Sequence, residues 1–352
     1  MIITEAIKKV VDRADLMTDE AEAVLEQIMT GQCTDAQVAS LLTALRMKGE
    51  TAAELTGFAR VMRRKVLAVR PNFLNADEGR TPEALLDTCG TGGDASGSFN
   101  ISTAAAFVVA GGGVRVAKHG NRSVSSRCGS ADVMEALGVC VEISPAAIAR
   151  SIDDVGIGFL HAPLLHGAMK YVATARKQMG IRTIFNMLGP LTNPASASVQ
   201  VIGVYAPQLT RLLAEVLLGL GSARALVVHG HDGLDEISIT GESNITELKD
   251  GQLSNYAIRP EDFGLTRSRL SEIQGGNAAE NARIILDVLE GKAGPRRDIV
   301  LLNSAAAFVA SSKADDFQQG IVMAAESIDS GKARATLERL IEFTNQEEAD
   351  TD

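Results

Sequence analysis

Residues 87–94, Asp-Thr-Cys-Gly-Thr-Gly-Gly-Asp, and residues 98–103, Ser-Phe-Asn-Ile-Ser-Thr, decide how this chain is read. A β-rich run from Ala84 to Asp87 enters a glycine turn, and an alanine-rich helix follows. Gly90, Gly92 and Gly93 let backbone amides come close to a ligand, and the first turn of the next helix adds free amides at a positive dipole end. Such an arrangement cradles a phosphate. A tight strand-to-helix turn with an Asn100 cap is the plainer alternative. No Gly-Lys-Ser/Thr follows and the glycine spacing is wrong for a dinucleotide fingerprint, so neither of those phosphate motifs applies.

Two further clusters lie downstream, each behind a β-rich run. Residues 118–126, Lys-His-Gly-Asn-Arg-Ser-Val-Ser-Ser, hold two cations, an imidazole, an amide and three hydroxyls, with Gly129 and Ser130 behind them. By itself this would be a solvated basic loop; after a glycine cradle it reads as a loop that binds a polyanion. His229 to Glu236 ends the run Arg224 to Val228 and offers the adjacent carboxylates Asp235 and Glu236. Mg²⁺ takes one or two carboxylates and completes its shell with water and phosphate oxygens. A zinc site at His229 and His231 would need a third nitrogen or sulfur ligand, and none stands at a supporting spacing.

The chain around these clusters changes texture once. Residues 1–70 read as a small all-helical domain. Thr34 with Gln37 and Thr51 with Glu54 fit capping boxes, Val38, Leu41, Leu42 and Leu45 form one apolar stripe, and Gly31 and Gly49 stop the second and third helices. Arg70-Pro71 through Pro82 is a linker. Over residues 82–345 the runs Ala84–Asp87, Val114–Ala117, Val139–Ile143, Val199–Tyr205 and Arg224–Val228 alternate with helical segments, which predicts an α/β domain. Ser144 and Pro145 open one helix, Leu165 to Met179 forms another, and Asp298–Ser311 and Ala314–Asn345 supply the last ones. Lys249-Asp250-Gly251 is a hairpin turn, so the central sheet is mixed. Residues 346–352 are an acidic tail that we expect to be frayed.

Composition narrows the function classes. The 352 residues carry 34 Lys plus Arg against 44 Asp plus Glu, a formal charge of −10, and the pI is near 5.1. That field repels nucleic acid and anionic lipid. No apolar run approaches the ~20 residues that span a bilayer, so we expect a cytoplasmic protein with neither a membrane nor a nucleic-acid partner. Cys33, Cys89, Cys128 and Cys140 show no paired spacing and read as free buried thiols.

The ordered series GTGGD, NIST, KHGNRSVSS and GSADVMEALG between Asp87 and Leu137 closely resembles the anthranilate phosphoribosyltransferase family, and the likeness extends from the N-terminal helices to about Asn345. It implies the fold shared with pyrimidine nucleoside phosphorylases. In that fold a small helical domain, joined by part of 165–190, stands beside a larger α/β domain with a central mixed sheet, usually as a homodimer through the helical domains. It also implies an activity in tryptophan biosynthesis, the transfer of phosphoribose from 5-phosphoribosyl 1-pyrophosphate to the amine of anthranilate, with Mg²⁺, two ions per subunit, holding the pyrophosphate.

Site residues follow from the same resemblance. Gly90, Gly93, Asp94, Ser98, Asn100, Ser102 and Thr103 match donor-binding positions, as do Lys118, His119, Gly120, Asn121, Arg122, Ser123, Val124, Ser125, Ser126 and Ser130. Ser102, Asp235 and Glu236 match the magnesium positions. Gly90, Asn121, Arg176 and Gly189 match the anthranilate pocket, with His119, His166 and Pro190 nearby. Lys118, Asn121 and Arg176 are expected to act by electrostatics and positioning, without an obligatory base, because an aromatic amine enters neutral. Ser98 replaces a frequent threonine, Gly167 a more usual proline, and Thr174-Ala175 a Pro-Val pair. The rival readings are a nucleoside phosphorylase-like enzyme, which Arg176 and the carboxylate pair disfavour, and a non-catalytic nucleic-acid-binding paralogue, which the acidic pI disfavours.

Overall fold

Four helices open the chain, α1 (Ile3–Val11), α2 (Thr18–Met29), α3 (Asp35–Lys48) and α4 (Ala52–Lys65). Both capping boxes form: Thr34 Oγ1 accepts from Gln37 N at 3.3 Å, and Thr51 Oγ1 from Glu54 N at 3.3 Å. Glu54 has a second use. Its buried carboxylate also accepts from Leu16 N at 3.0 Å and from Lys48 Nζ at 3.1 Å, tying α3 and α4 to the α1–α2 connection. Glu54→Ala removes three hydrogen bonds and leaves Lys48 with the exposed Asp15 and the Gly49 carbonyl. We expect a loss of about 2 kcal/mol in chemical denaturation, with unchanged turnover.

The computed structural model describes residues 1–75, 83–94, 96–123 and 127–349. Val124, Ser125 and Ser126 of the basic loop, and the linker beyond Asn75, lie outside the described residues. The larger domain begins with β1 (Leu85–Gly90), α5 (Ile101–Gly111), β2 (Arg115–Gly120), α6 (Ser130–Ala136), α7 (Pro145–Asp154) and β3 (Ile157–His161). It continues with α8 (Ala162–Leu165), α9 (Lys170–Met179), α10 (Phe185–Leu188), β4 (Val199–Gly203), α11 (Gln208–Gly219), β5 (Arg224–Gly230), β6 (Ser243–Lys249) and β7 (Gln252–Ile258). The last helices are α12 (Ala278–Leu289), α13 (Pro295–Ala310), α14 (Phe317–Asp329) and α15 (Lys332–Ala349).

The sheet runs β3-β2-β1-β4-β5-β6-β7, parallel through β5 and antiparallel over the β6–β7 hairpin, so it is mixed. Asp250 and Gly251 turn that hairpin with φ of 51° and 73°, as a two-residue turn of this hand requires. One sheet face packs with α5 and α13 around Phe107 and Phe308. On the other, Ile202 and Val227 share a core with α1–α4, and Val172, Ala175 and Phe185 of α9 and α10 join it. Among the described residues no helix is long and apolar enough to cross a membrane.

Several expectations need correction. Val139–Ile143 is no strand: it links α6 to α7, and Cys140 N donates to Thr344 Oγ1 of α15 at 3.1 Å. Instead β3 pairs with β2, and its Gly158 lets Ile152 of α7 approach to 2.7 Å of where a Cβ would stand. Leu165–Met179 is not one helix, because His166 leaves helical backbone at φ −108° and ψ 55°. The acidic tail is helical through Ala349; Glu347 pairs with Arg150 and Asn345 Nδ2 donates to Gly138 O at 2.9 Å. Of the four free thiols only Cys128 is fully buried.

Candidate active site

β1 and β4 are neighbours whose chains leave toward opposite sides of the sheet, which opens a crevice beyond their carboxyl ends. Gly90 and Gly203 face each other there in register. Neither position has room for a side chain: a Cβ on Gly90 would lie 2.4 Å from Asp235 Oδ2, and one on Gly203 1.5 Å from Asp235 O. These glycines let the loop after β5 lie across the strand ends. Asp235 Oδ2 then accepts from Gly92 N at 2.9 Å, and Glu236 Oε1 from Ser102 N at 3.1 Å, in the first turn of α5. Behind them Asn303 of α13 grips both backbone groups of Ile237 at 2.9 Å.

Two carboxylates are thereby buried side by side. Burial, reinforced by Asp94, pushes Asp235 up to about 7; burial, reinforced by Asp235, pushes Glu236 up to about 8. With Ser102, whose amide bonds Glu236, they form a set of hard oxygen donors whose negative charge is only partly offset, which fits Mg²⁺. His229 and His231 do not contribute: His229 Nδ1 bonds to Val204 O at 2.7 Å, and His231 faces Glu242.

Lys118 is not in a loop, because β2 extends through Gly120. It is 1% exposed, and its Nζ donates to Thr88 O at 2.6 Å and to Ser102 Oγ at 3.3 Å. Its ammonium therefore meets the Ser102 hydroxyl from inside the sheet and does not project from an open loop. The fully buried Asp87 accepts from His119 N at 3.1 Å and from Asn193 Nδ2 at 2.8 Å, joining β1, β2 and the segment before β4. Asn100 stands at the α5 N-terminus without capping it; Asn281 Nδ2 donates to its Oδ1 at 2.9 Å. Thr103 is buried, and its hydroxyl has no hydrogen-bond partner among the described residues. Gly92 and Gly93 take φ of 67° and 76°, Asp94 accepts from Ser96, and Ser98 makes an isolated bridge with Gln274.

Past β2, Asn121 N donates to Ser130 Oγ at 3.1 Å, and a Cβ on Gly120 would collide with that hydroxyl at 2.3 Å. Ser123 N donates to Asp132. Arg122 is not an open cation: both terminal nitrogens reach Glu135, at 2.7 and 2.6 Å.

Beside Asn121 a cavity of about 450 Å³ opens between the two domains, lined by His119, His166, Arg176, Phe185 and Gly189, with Met62 of α4 closing it. Arg176 stacks over the Phe185 ring at 5.3 Å, is half-buried, and has no carboxylate partner among the described residues. Burial holds its pKa below the ordinary guanidinium value. His119 Nδ1 lies 3.1 Å from Gly189 O, and the two histidine Nε2 atoms are 3.2 Å apart. Gly90 and Pro190 lie outside this wall; Pro190 is buried, and its carbonyl accepts from Gln200 at 2.6 Å.

Family models match both parts of the chain, the glycosyl transferase family helical bundle domain over residues 4–66 and the glycosyl transferase family a/b domain over residues 82–334. The anthranilate phosphoribosyltransferase of Geotalea uraniireducens is 54% identical over 350 residues, covering 98% of this chain and 100% of the relative. The chain belongs to the anthranilate phosphoribosyltransferase family. The crystal structure of the Thermus thermophilus anthranilate phosphoribosyltransferase aligns at TM-score 0.89 and 42% identity, covering 97% of this chain and 99% of that one. The Saccharomyces cerevisiae anthranilate phosphoribosyltransferase in complex with PRPP and Mg aligns at 0.86 and 30%, covering 98% of each. Sequence reading of this family member missed Gly203, Asn193, Asn281 and Asn303; only Asn193, in the run Leu-Thr-Asn-Pro, carries a local signal.

Proposed function

We infer that this chain transfers phosphoribose from 5-phosphoribosyl 1-pyrophosphate to the amine of anthranilate, giving N-(5-phosphoribosyl)anthranilate and pyrophosphate in tryptophan biosynthesis. The observation that carries the reading is Arg176, a half-buried guanidinium without a carboxylate in a cavity that shares Asn121 with the basic loop. A nucleobase brings no carboxylate for this guanidinium to pair with. Arg176 pairs with the anthranilate carboxylate, and Phe185 and Met62 pack its ring. Asn121 orients the acceptor toward the donor held by the amides after Gly90 and by Ser130. Ser102, Asp235 and Glu236 would hold two Mg²⁺ ions, which when bound would supply charge stabilisation for the departing pyrophosphate. Lys118 fixes the Ser102 hydroxyl from below, and positioning of the two substrates supplies the rest of the rate. Loss of anthranilate fluorescence that requires both 5-phosphoribosyl 1-pyrophosphate and Mg²⁺ tests this; persistence without either refutes it.

The imidazoles support a mechanism without a base. Burial lowers His119 to about 3, with His166 adding to the effect, and burial lowers His166 to about 4. His119 Nδ1–H donates to Gly189 O, so His119 Nε2 accepts from His166 Nε2. His119→Ala and His166→Ala are each expected to lose less than about 10²-fold in kcat, the lower bound for removing a general base, with no imidazole limb between pH 5 and 8. Stability shows the pair instead. The unfolded chain takes up protons below about pH 6.5 that these folded imidazoles refuse, so the melting temperature falls as pH drops toward 4, and less steeply in either variant.

Ile2, Val11 and Met47 leave apolar side chains exposed on the packed pair α1 and α3, which supports a homodimer through the helical domain; sedimentation decides it. Free thiols suit the cytoplasm.

A further inference from the structure

His161 ends β3 directly opposite Gly120 in the register of the parallel pair. Register partners, and residues two apart, share one face of a sheet. His161 therefore lies on the side of Phe159, whose ring it stacks against at 6.4 Å, and on the side from which Ser130 approaches Gly120. The same turn carries Asn121, whose amide donates to Ser130 Oγ. The residue is only 3% exposed, yet neither ring nitrogen has a hydrogen-bond partner among the described residues. An imidazole always carries at least one N–H, and buried polar groups of this kind are ordinarily paired.

The charged groups facing His161 are Arg122, Asp132, Glu135 and Glu142. Arg122 is already engaged by Glu135 and reaches Asp132 at 3.5 Å and Glu142 at 3.9 Å. An anion arriving at this turn therefore meets a largely compensated arginine, and the buried imidazole is a donor still without a partner among the described residues. We propose that His161 is a further binding residue for the donor, giving a ring N–H to a phosphoryl oxygen held at Asn121 and Ser130. The proposal rests on the phosphoribosyl transfer inferred above. Burial and Arg122 keep the ring neutral, its pKa below the ordinary histidine value, so it donates as a neutral group.

His161→Phe keeps the ring that packs on Phe159 and removes both nitrogens. Calorimetric titration with 5-phosphoribosyl 1-pyrophosphate and Mg²⁺, without acceptor, is expected to show about tenfold weaker binding, or about 1.4 kcal/mol, and the donor KM to rise equally. The anthranilate KM is expected to stay within twofold. His161→Asn places an N–H near Nδ1 and His161→Gln near Nε2, so one of them restores most of the affinity. Donor affinity within twofold of wild type in His161→Phe overturns the proposal. So does equal weakening in folded Asn and Gln variants, which decide the matter if the Phe variant melts early. Wild-type protein that binds donor but leaves anthranilate untouched sinks the reaction and not this contact.

Discussion

Asp235→Asn together with Glu236→Gln is expected to lower turnover by at least about 10³-fold, or about 4 kcal/mol, at every Mg²⁺ concentration. The magnesium-free variant is expected to melt above magnesium-free wild type. Both outcomes have one cause. The two carboxylates are buried beside each other and near Asp94, in an environment that pushes both toward protonation. The amides keep an oxygen for Gly92 N and another for Ser102 N, so the loops remain tied while the buried charge disappears. Such charge is tolerated at a site because a ligand needs it. Carboxylates with folded pKa values raised to about 7 and 8 favour the folded state at low pH, and that contribution is lost as pH rises through those values. The melting advantage of the variant should therefore be larger at pH 8.5 than at pH 6. Turnover near wild type, or a variant that melts below wild type at pH 8.5, would move the metal elsewhere.

How much of this was legible in the sequence varies by residue. The capping boxes at Thr34 and Thr51 depend on contacts three residues apart, and both form as spelled. The glycine turn was legible because φ near 70° at Gly92 and Gly93 excludes most side chains. Lys118 misled, since a cation next to His-Gly-Asn-Arg looks solvent-facing. Only its partners Thr88 and Ser102, 30 and 16 residues away, show why it lies inside the sheet. Arg122 misled in the same way, its charge being matched by Glu135 on the following helix. Gly203 and Asn303 act on the Asp235–Ile237 loop from distant elements and leave no local pattern. β3 escaped because Gly156 and Gly158 dilute its apolar run, although Gly158 is what lets α7 pack closely.

Arg176→Ala is expected to raise the anthranilate KM by about 30-fold or more, since truncating one partner of a desolvated charge pair typically costs about 2 to 5 kcal/mol. The donor KM should change less than threefold. The asymmetry follows from position: Arg176 lies on α9, packed with the helical domain, whereas the donor cradle we propose belongs to the ends of β1 and β2 and to α5. A guanidinium stacked on Phe185 at 5.3 Å and partly withdrawn from water has lost solvation without gaining an anion. The incoming carboxylate supplies that anion, and the planar fork matches it with two parallel hydrogen bonds. Arg176→Lys keeps the charge but neither the fork nor the ring stacking, so it should recover only part of the affinity. Steady-state kinetics with both substrates varied separates the cases. A loss shared equally by donor and acceptor would mean that Arg176 holds the domains together instead of reading the acceptor. Full recovery by Lys would leave bulk positive charge as the only requirement.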